Sequence, residues 1–199
     1  MKNKDALLKD KDALVKDKGN VYYCDVTSLD NSLNNMTIDG YTGTHVPNRN
    51  DNDINGIWIH NTNTKYIPAN LGFLFNLTAL LVQNSNLIEI KAENFHGMQN
   101  LESLELSYNK LTSLASDTFS SITKLKYLGL SANQIEVIPS NLFSNNLNLE
   151  EINLIHNKIK YIGSGVFDHL TKMNYVFLNV NICVNICVAL EILFKSSMI

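Results

Sequence analysis

A tandem repeat of constant length is the feature of this sequence that most restricts its fold. Four units begin at Leu77, Leu101, Leu125 and Leu149, and Met173 opens a fifth. The fourth and sixth positions of every unit are aliphatic, and these two columns are Leu80, Leu104, Leu128, Ile152 and Val176, and Val82, Leu106, Leu130, Leu154 and Leu178. A fixed period of 24 residues predicts a solenoid, in which each turn buries its apolar face against its neighbours.

Two further columns recur with the same period. The ninth position is an asparagine in most units: Asn109, Asn133, Asn157 and Asn181. A phenylalanine closes each unit: Phe95, Phe119, Phe143 and Phe167. We predict that the asparagine side chains form a ladder that satisfies backbone groups where the chain leaves each strand, while the phenylalanines fill the convex side of the core. Both columns are then structural and contain no binding residue.

Together these columns read L-x-x-L-x-L-x-x-N-x-L in tandem, a pattern that resembles the leucine-rich repeat family. A unit of 24 residues with phenylalanine near its end looks like the typical extracellular class of that family. The resemblance implies an α/β-type solenoid, a horseshoe arc of about six turns with a parallel concave β-sheet. It also implies loops and 3-10 turns on the convex side and a cap at each end.

Short segments at residues 23–26, 43–45 and 181–184 are also similar to small secreted insect leucine-rich repeat proteins. This resemblance implies a secreted protein that binds other proteins in adhesion, development or immunity. The resemblance does not extend to a C-terminal cap with four cysteines, which this sequence lacks.

The irregular ends of the sequence divide it further. Residues 1–20 are rich in lysine and aspartate, and two heptads are too short for a stable isolated helix, so we expect a frayed helix or a disordered segment. Residues 21–53 are expected to form a β-hairpin-type cap and a linker, with strands near 21–26 and 36–45. The repeats then span 54–186, and a helical cap spans 187–199.

Charge and hydropathy restrict the partners and the compartment. A net charge of -3 provides no positive field for nucleic acid. No apolar run is long enough to cross a membrane, and residues 1–20 lack the apolar stretch of a secretory signal. The repeat class favours an extracellular protein, and the character of residues 1–20 keeps a cytoplasmic location as the alternative.

Three cysteines and two glycosylation sequons lie outside the regular columns. The chain has three cysteines, Cys24, Cys183 and Cys187, so at least one thiol is unpaired or pairs outside the chain. The other two form a disulfide in a cap or remain as buried thiols. Zinc needs further ligands and no histidine lies near these cysteines, so we expect no metal. Asn35 and Asn76 are the acceptor residues of the two sequons, which are meaningful in an exported protein.

Residues at the third, fifth and seventh positions are not required by the core. Side chains alternate along a strand, so these positions face outward, on the concave surface that curved solenoids use for binding. Tyr127, Ile155, Tyr175 and Phe177 gather at the C-terminal turns, and aromatic clusters of this kind are typical of binding hot spots. The alternative is that such residues pack against the caps, which we favour for Trp58.

We therefore predict a protein ligand on this surface and its rim. The predicted contact residues are Glu105, Tyr108, Tyr127, Glu151, Ile155, His156, Tyr175 and Phe177. A homodimer through the solenoid face is a second form of the same contact. An intracellular adaptor or enzyme inhibitor is the alternative function.

Enzyme chemistry has little support in this sequence. Glu105 and Glu151 lie two strands apart, ~10 Å by strand spacing, which is near the range of inverting glycosidases, but no cleft is implied. The histidines are scattered over different turns: His60, His96, His156 and His169. No nucleophile elbow, phosphate-binding loop or zinc-protease motif is present. We predict that the protein is not an enzyme and needs no cofactor.

Overall fold

The structure is a computed structural model that describes residues 23–26, 55–68 and 71–182. Several predictions concern residues outside these ranges. They are the charged segment 1–20, the second hairpin strand at 36–45, the sequon at Asn35, Cys183 and Cys187, and the cap at 187–199.

A parallel sheet of seven strands runs through the described residues. In spatial order its strands are β1 (Tyr23–Val26), β2 (Gly56–His60), β3 (Ala79–Gln83), β4 (Ser103–Glu105), β5 (Tyr127–Gly129), β7 (Glu151–Asn153) and β9 (Tyr175–Phe177). Every neighbouring pair is parallel. The predicted parallel solenoid is confirmed.

The opposite side of the solenoid consists mainly of turns. Within the described residues it contains the short 3-10 segments Leu71–Phe73 and Ala92–Phe95 and a parallel pair of two-residue strands, β6 (Val137–Ile138) and β8 (Tyr161–Ile162). No helix in the described part of the chain has the length and hydropathy to cross a membrane.

The register of the sheet follows the repeat. Ser103 pairs with Tyr127, Tyr127 with Glu151, and Glu151 with Tyr175, so each step along the sheet advances the chain by one unit. From β2 to β9 the chain completes five turns. The predicted count of about six included a last turn that extends beyond residue 182.

The two aliphatic columns form the centre of one continuous core. Leu104, Leu128 and Ile152 from the fourth position are fully buried, as are Leu106 and Leu130 from the sixth. Each such side chain contributes roughly 1.5–3 kcal/mol when it leaves water, and these contributions hold the turns together.

The phenylalanine column closes the convex side of the core. Phe95, Phe119, Phe143 and Phe167 are buried, and successive ring centroids are 5.9, 6.2 and 6.0 Å apart. Offset or tilted rings at this spacing attract one another beyond the effect of burial alone. The column therefore links each turn to the next on the side where the chain forms few strands.

The asparagine ladder connects neighbouring turns through the backbone. The Asn133 side chain accepts a hydrogen bond from the Leu111 N–H at 3.0 Å and donates to the carbonyls of Leu106 at 3.0 Å and Leu130 at 3.1 Å. Leu106 and Leu111 belong to the preceding turn and Leu130 to the same turn, so one amide satisfies buried groups of both. Asn157 makes the equivalent contacts one turn later.

Replacement of Asn133 by alanine tests the ladder. The substitution leaves a buried N–H and two carbonyls without their partner, and we expect the free energy of unfolding to fall by about 1–3 kcal/mol or more. Urea unfolding followed by circular dichroism would measure the change. Asn145→Ala is the matched control, because that exposed side chain makes a single bond to the Ser120 carbonyl. Equal losses in the two variants would contradict the role of the ladder.

Candidate functional site

The concave face comprises the third, fifth and seventh positions of strands β2 to β9, on the side of the sheet opposite the core. The strand register brings these positions into rows, as the repeat predicted. Their burial differs strongly from one end of the sheet to the other. That difference decides which part of the face a ligand can reach.

The N-terminal part of this face is buried. Trp58, Ala79 and Leu81 form a separate apolar cluster with exposures of 6%, 5% and 1%. The Trp58 indole N–H donates to Gln83 at 3.3 Å, and its ring stacks on His60 with centroids 4.0 Å apart. Trp58 is thus part of a packed cluster, and this end of the face offers little open surface.

Glu105 on β4 is a buried carboxylate in the middle of the concave face. It is only 5% exposed, although it is a carboxylate on a sheet surface. Its Oε2 accepts a hydrogen bond from the Tyr127 hydroxyl at 2.8 Å, and its Oε1 accepts one from the Ser107 N–H at 2.8 Å. These two bonds orient the carboxylate across the neighbouring strand β5.

Gly129 makes room for that carboxylate. A Cβ atom at this position would lie 2.0 Å from Glu105 Oε2 and 2.4 Å from its Cδ. Any other residue would therefore displace the Glu105 side chain. The sequence identified Gly129 only as one of several small residues between the aromatic residues of this face, although a glycine within a strand often marks the close approach of another group.

The C-terminal part of the face is accessible and aromatic. Tyr175 is 43% exposed and its ring stacks on Phe177, with centroids 5.8 Å apart and planes 7° from parallel. Phe177, Tyr127 and Ile155 are half-buried. Among the predicted contact residues, these four therefore share one part of the sheet.

Glu151 lies between two tyrosines on this accessible part. It pairs in register with Tyr127 on β5 and with Tyr175 on β9. Burial, and secondarily the charge of Glu105, raise the pKa of Glu151 above its ordinary value. Its charged form is therefore less favourable here than in water.

Tyr108 and His156 lie at the rim of the face, one residue beyond the seventh position. Both are exposed, and both have left-handed backbone conformations with φ of 59° and 56°. The same conformation occurs at this position in every turn: Asn61, Asn84, Tyr108, Ala132, His156 and Val180. The strand-to-loop turn thus requires it, and it does not single out these two residues as functional.

Metal binding and glycosylation concern residues outside this face. Within the described residues, no group of three histidine, cysteine or acidic side chains is arranged to hold a metal ion. Asn76 is exposed at the entry to β3, and the hydroxyl of Thr78 in the same sequon donates to the Asn55 carbonyl at 3.1 Å.

The strand geometry, the ladder and the exposed sheet face define a parallel solenoid with an open surface on one side. A profile described as Leucine rich repeat matches residues 75–135 and 123–181, which together cover more than half of the 199 residues. The chain belongs to the leucine-rich repeat family, whose repeats are typically non-catalytic. No curated protein sequence matches it.

Two solved structures contain chains of similar fold. One is the Toll–Spatzle complex, a molecular hub in Drosophila development and innate immunity, with 14% identity, a TM-score of 0.51, and coverage of 67% of this chain and 27% of that one. The other is the octameric complex of Latrophilin 3, Unc5D and FLRT2 (LRR), with 23% identity, a TM-score of 0.58, and coverage of 67% and 40%. This chain spans less than half of either match, and identities this low support the fold alone.

Replacement of Glu151 by glutamine tests the electrostatics of the face. A carboxyl whose pKa is higher in the folded than in the unfolded state binds its proton more tightly when folded, so stability falls as pH rises through that window. We expect Glu151→Gln to raise the melting temperature at neutral pH, and this gain to shrink as pH falls through the raised pKa and to be lost below the ordinary glutamate range. Thermal unfolding across a pH series would measure both effects.

The matched control removes the same charge from the convex side. Glu93 is exposed in the 3-10 segment Ala92–Phe95. Glu93→Gln is expected to change the melting temperature less than Glu151→Gln at neutral pH. A loss of stability in Glu151→Gln would mean that the carboxylate stabilises the fold, contrary to the raised pKa.

Proposed function

We propose that this chain is a non-enzymatic protein-binding module whose ligand binds the C-terminal part of the concave face. The observation that carries the proposal is the stacked pair of Tyr175 and Phe177, beside Tyr127, on accessible sheet surface. The fold does not need these side chains, since the core lies on the other side of the sheet.

The chemistry of this surface supports recognition of a protein. Aromatic side chains supply large contact areas at a low cost in conformational entropy, and tyrosine is enriched among hot-spot residues. Ile155 adds apolar area beside them, and Tyr108 and His156 at the rim can provide polar contacts. The two structures of similar fold are both of protein complexes, which agrees with this role.

We further propose that the protein is secreted and acts in adhesion, development or immune recognition. The length of the repeat unit and its closing phenylalanine support this assignment through their resemblance to the typical extracellular class. The exposure of Asn76 within a sequon is consistent with glycosylation. Cap disulfides among Cys24, Cys183 and Cys187 would fit an oxidising compartment.

Mass spectrometry of protein isolated from its native source tests secretion. We expect at least one disulfide among the three cysteines and glycan on Asn35 or Asn76. Three free thiols and two unmodified asparagines would contradict secretion and favour an intracellular adaptor or inhibitor. Recombinant cytoplasmic protein, alkylated in the same way, is the control for artificial oxidation.

Partner capture with an aromatic variant tests the binding face. The triple variant Tyr127→Ala/Tyr175→Ala/Phe177→Ala removes the hot-spot area, and we expect the bound partner to decrease by tenfold or more, about 1.4 kcal/mol. Capture from native extracellular fluid, with quantitative mass spectrometry of the bound proteins, would measure the loss.

The matched control removes a similar exposed area elsewhere. Val137, Leu147 and Tyr161 are 44%, 53% and 55% exposed and lie off the concave face. The triple alanine variant at these positions is expected to capture the same partner at the wild-type level. Thermal unfolding of both variants would confirm that they fold. Equal capture by wild type and the aromatic variant would refute this binding face.

A further inference from the structure

The charges on the concave face point to the chemistry of its ligand. The third, fifth and seventh positions of strands β2 to β9 contain the carboxylates of Glu105 and Glu151 and neither lysine nor arginine. The eight lysines of the described residues all lie elsewhere: Lys65, Lys91, Lys110, Lys124, Lys126, Lys158, Lys160 and Lys172. The face is therefore acidic although the chain as a whole carries charges of both signs.

Glu151 is the carboxylate that a ligand can reach. Its side chain is half-buried. The ion pairs among the described residues involve other carboxylates: Glu89 with Lys91, Glu102 with Lys126, and Glu136 with Lys160. Its charge thus has no lysine partner within the described chain. A cation brought by the ligand would favour the charged form that burial now disfavours.

Two tyrosines flank Glu151 in the strand register. The register places Tyr127 and Tyr175 on the strands at either side of Glu151, about 4.8 Å away in the hydrogen-bonding direction. An ammonium or guanidinium group is attracted both to a carboxylate and to the faces of aromatic rings. Guanidinium is the better fit, because its flat surface can stack on a ring while its N–H groups reach the carboxylate.

Glu105 adds a second negative charge at a fixed position. Its carboxylate is oriented by the Tyr127 hydroxyl and the Ser107 N–H, and it lies against Gly129. The influence of Glu105 on the pKa of Glu151 indicates that the two charges share one electrostatic environment. A single cation on this face can interact favourably with both.

We propose that the concave face binds a basic segment of its protein ligand, with an arginine or lysine side chain over Glu151 between Tyr127 and Tyr175. This inference rests on the proposed function and names the chemistry of the partner. It disfavours a homodimer formed by two concave faces, because such a contact would bring four carboxylates together without a cation. Nucleic acid would be repelled for the same reason.

A matched pair of peptides tests the inference with the full chain. The probe is acetyl-Gly-Arg-Gly-Arg-Gly-amide, and its control replaces each arginine by citrulline, which has a similar shape and no charge. We expect the arginine peptide to produce saturable changes in the amide NMR shifts of Tyr127, Glu151 and Tyr175, and the citrulline peptide to produce none. Equal shifts with both peptides, or none with either, would overturn the inference.

Variants of the chain identify the groups that hold the cation. Glu151→Gln is expected to lower the affinity for the arginine peptide about fivefold, which is the scale of one part-exposed charge pair. Glu93→Gln on the convex side is expected to leave its affinity unchanged. Gly129→Ala keeps both charges but displaces the Glu105 carboxylate, and we expect it to weaken binding as well. Wild-type affinity in Glu151→Gln would overturn the inference.

Failure of this inference and failure of the proposed function give different results. If the aromatic triple variant loses its captured partner while Glu151→Gln retains it, the binding face stands and its preference for a cation is wrong. If the aromatic variant retains the partner as well, the face itself is wrong. Loss of the captured partner in both variants, together with the peptide result, supports both proposals.

Discussion

The hydrogen bonds of the ladder asparagines Asn109, Asn133, Asn157 and Asn181 are the interaction on which the rest of the solenoid depends. Each regular strand is only three residues long, so the chain must turn away from the sheet almost at once. The Asn133 amide satisfies backbone groups of its own turn and of the preceding one. Buried backbone groups without partners would otherwise oppose the apolar burial that stacks the turns. The constant period of the repeat is thus maintained by polar contacts as well as by leucines.

This division of roles places one face of the sheet outside the main apolar core. Leu128 and Leu130 face the core, and the residues between and beside them face outward. At the C-terminal end of the sheet the outward residues lie outside the apolar core, and Tyr127 and Glu151 remain partly accessible. The charged form of Glu151 is one example: burial and the charge of Glu105 disfavour it in the fold alone, and the proposed cationic ligand would favour it.

Most of the fold could be predicted because its determinants are periodic. The columns that contain Leu104, Asn133 and Phe119 identify the strands, the ladder and the convex layer, and strand alternation assigns the outward positions. The candidate site was predictable only in part. The aromatic character of Tyr175 and Phe177 was evident from the sequence, but their stacking and exposure depend on their neighbours.

The sequence by itself determined the repeat, the parallel register and the separation of inward from outward residues, because each follows from a pattern with a fixed period. Only the tertiary structure decided that Trp58 packs with Ala79 and Leu81, that Glu105 is buried against Gly129, and that the surroundings of Glu151 remain accessible. Burial, hydrogen-bond geometry and the coupling of two charges depend on distances between residues about one turn or more apart in the chain. Such distances arise only when the turns stack.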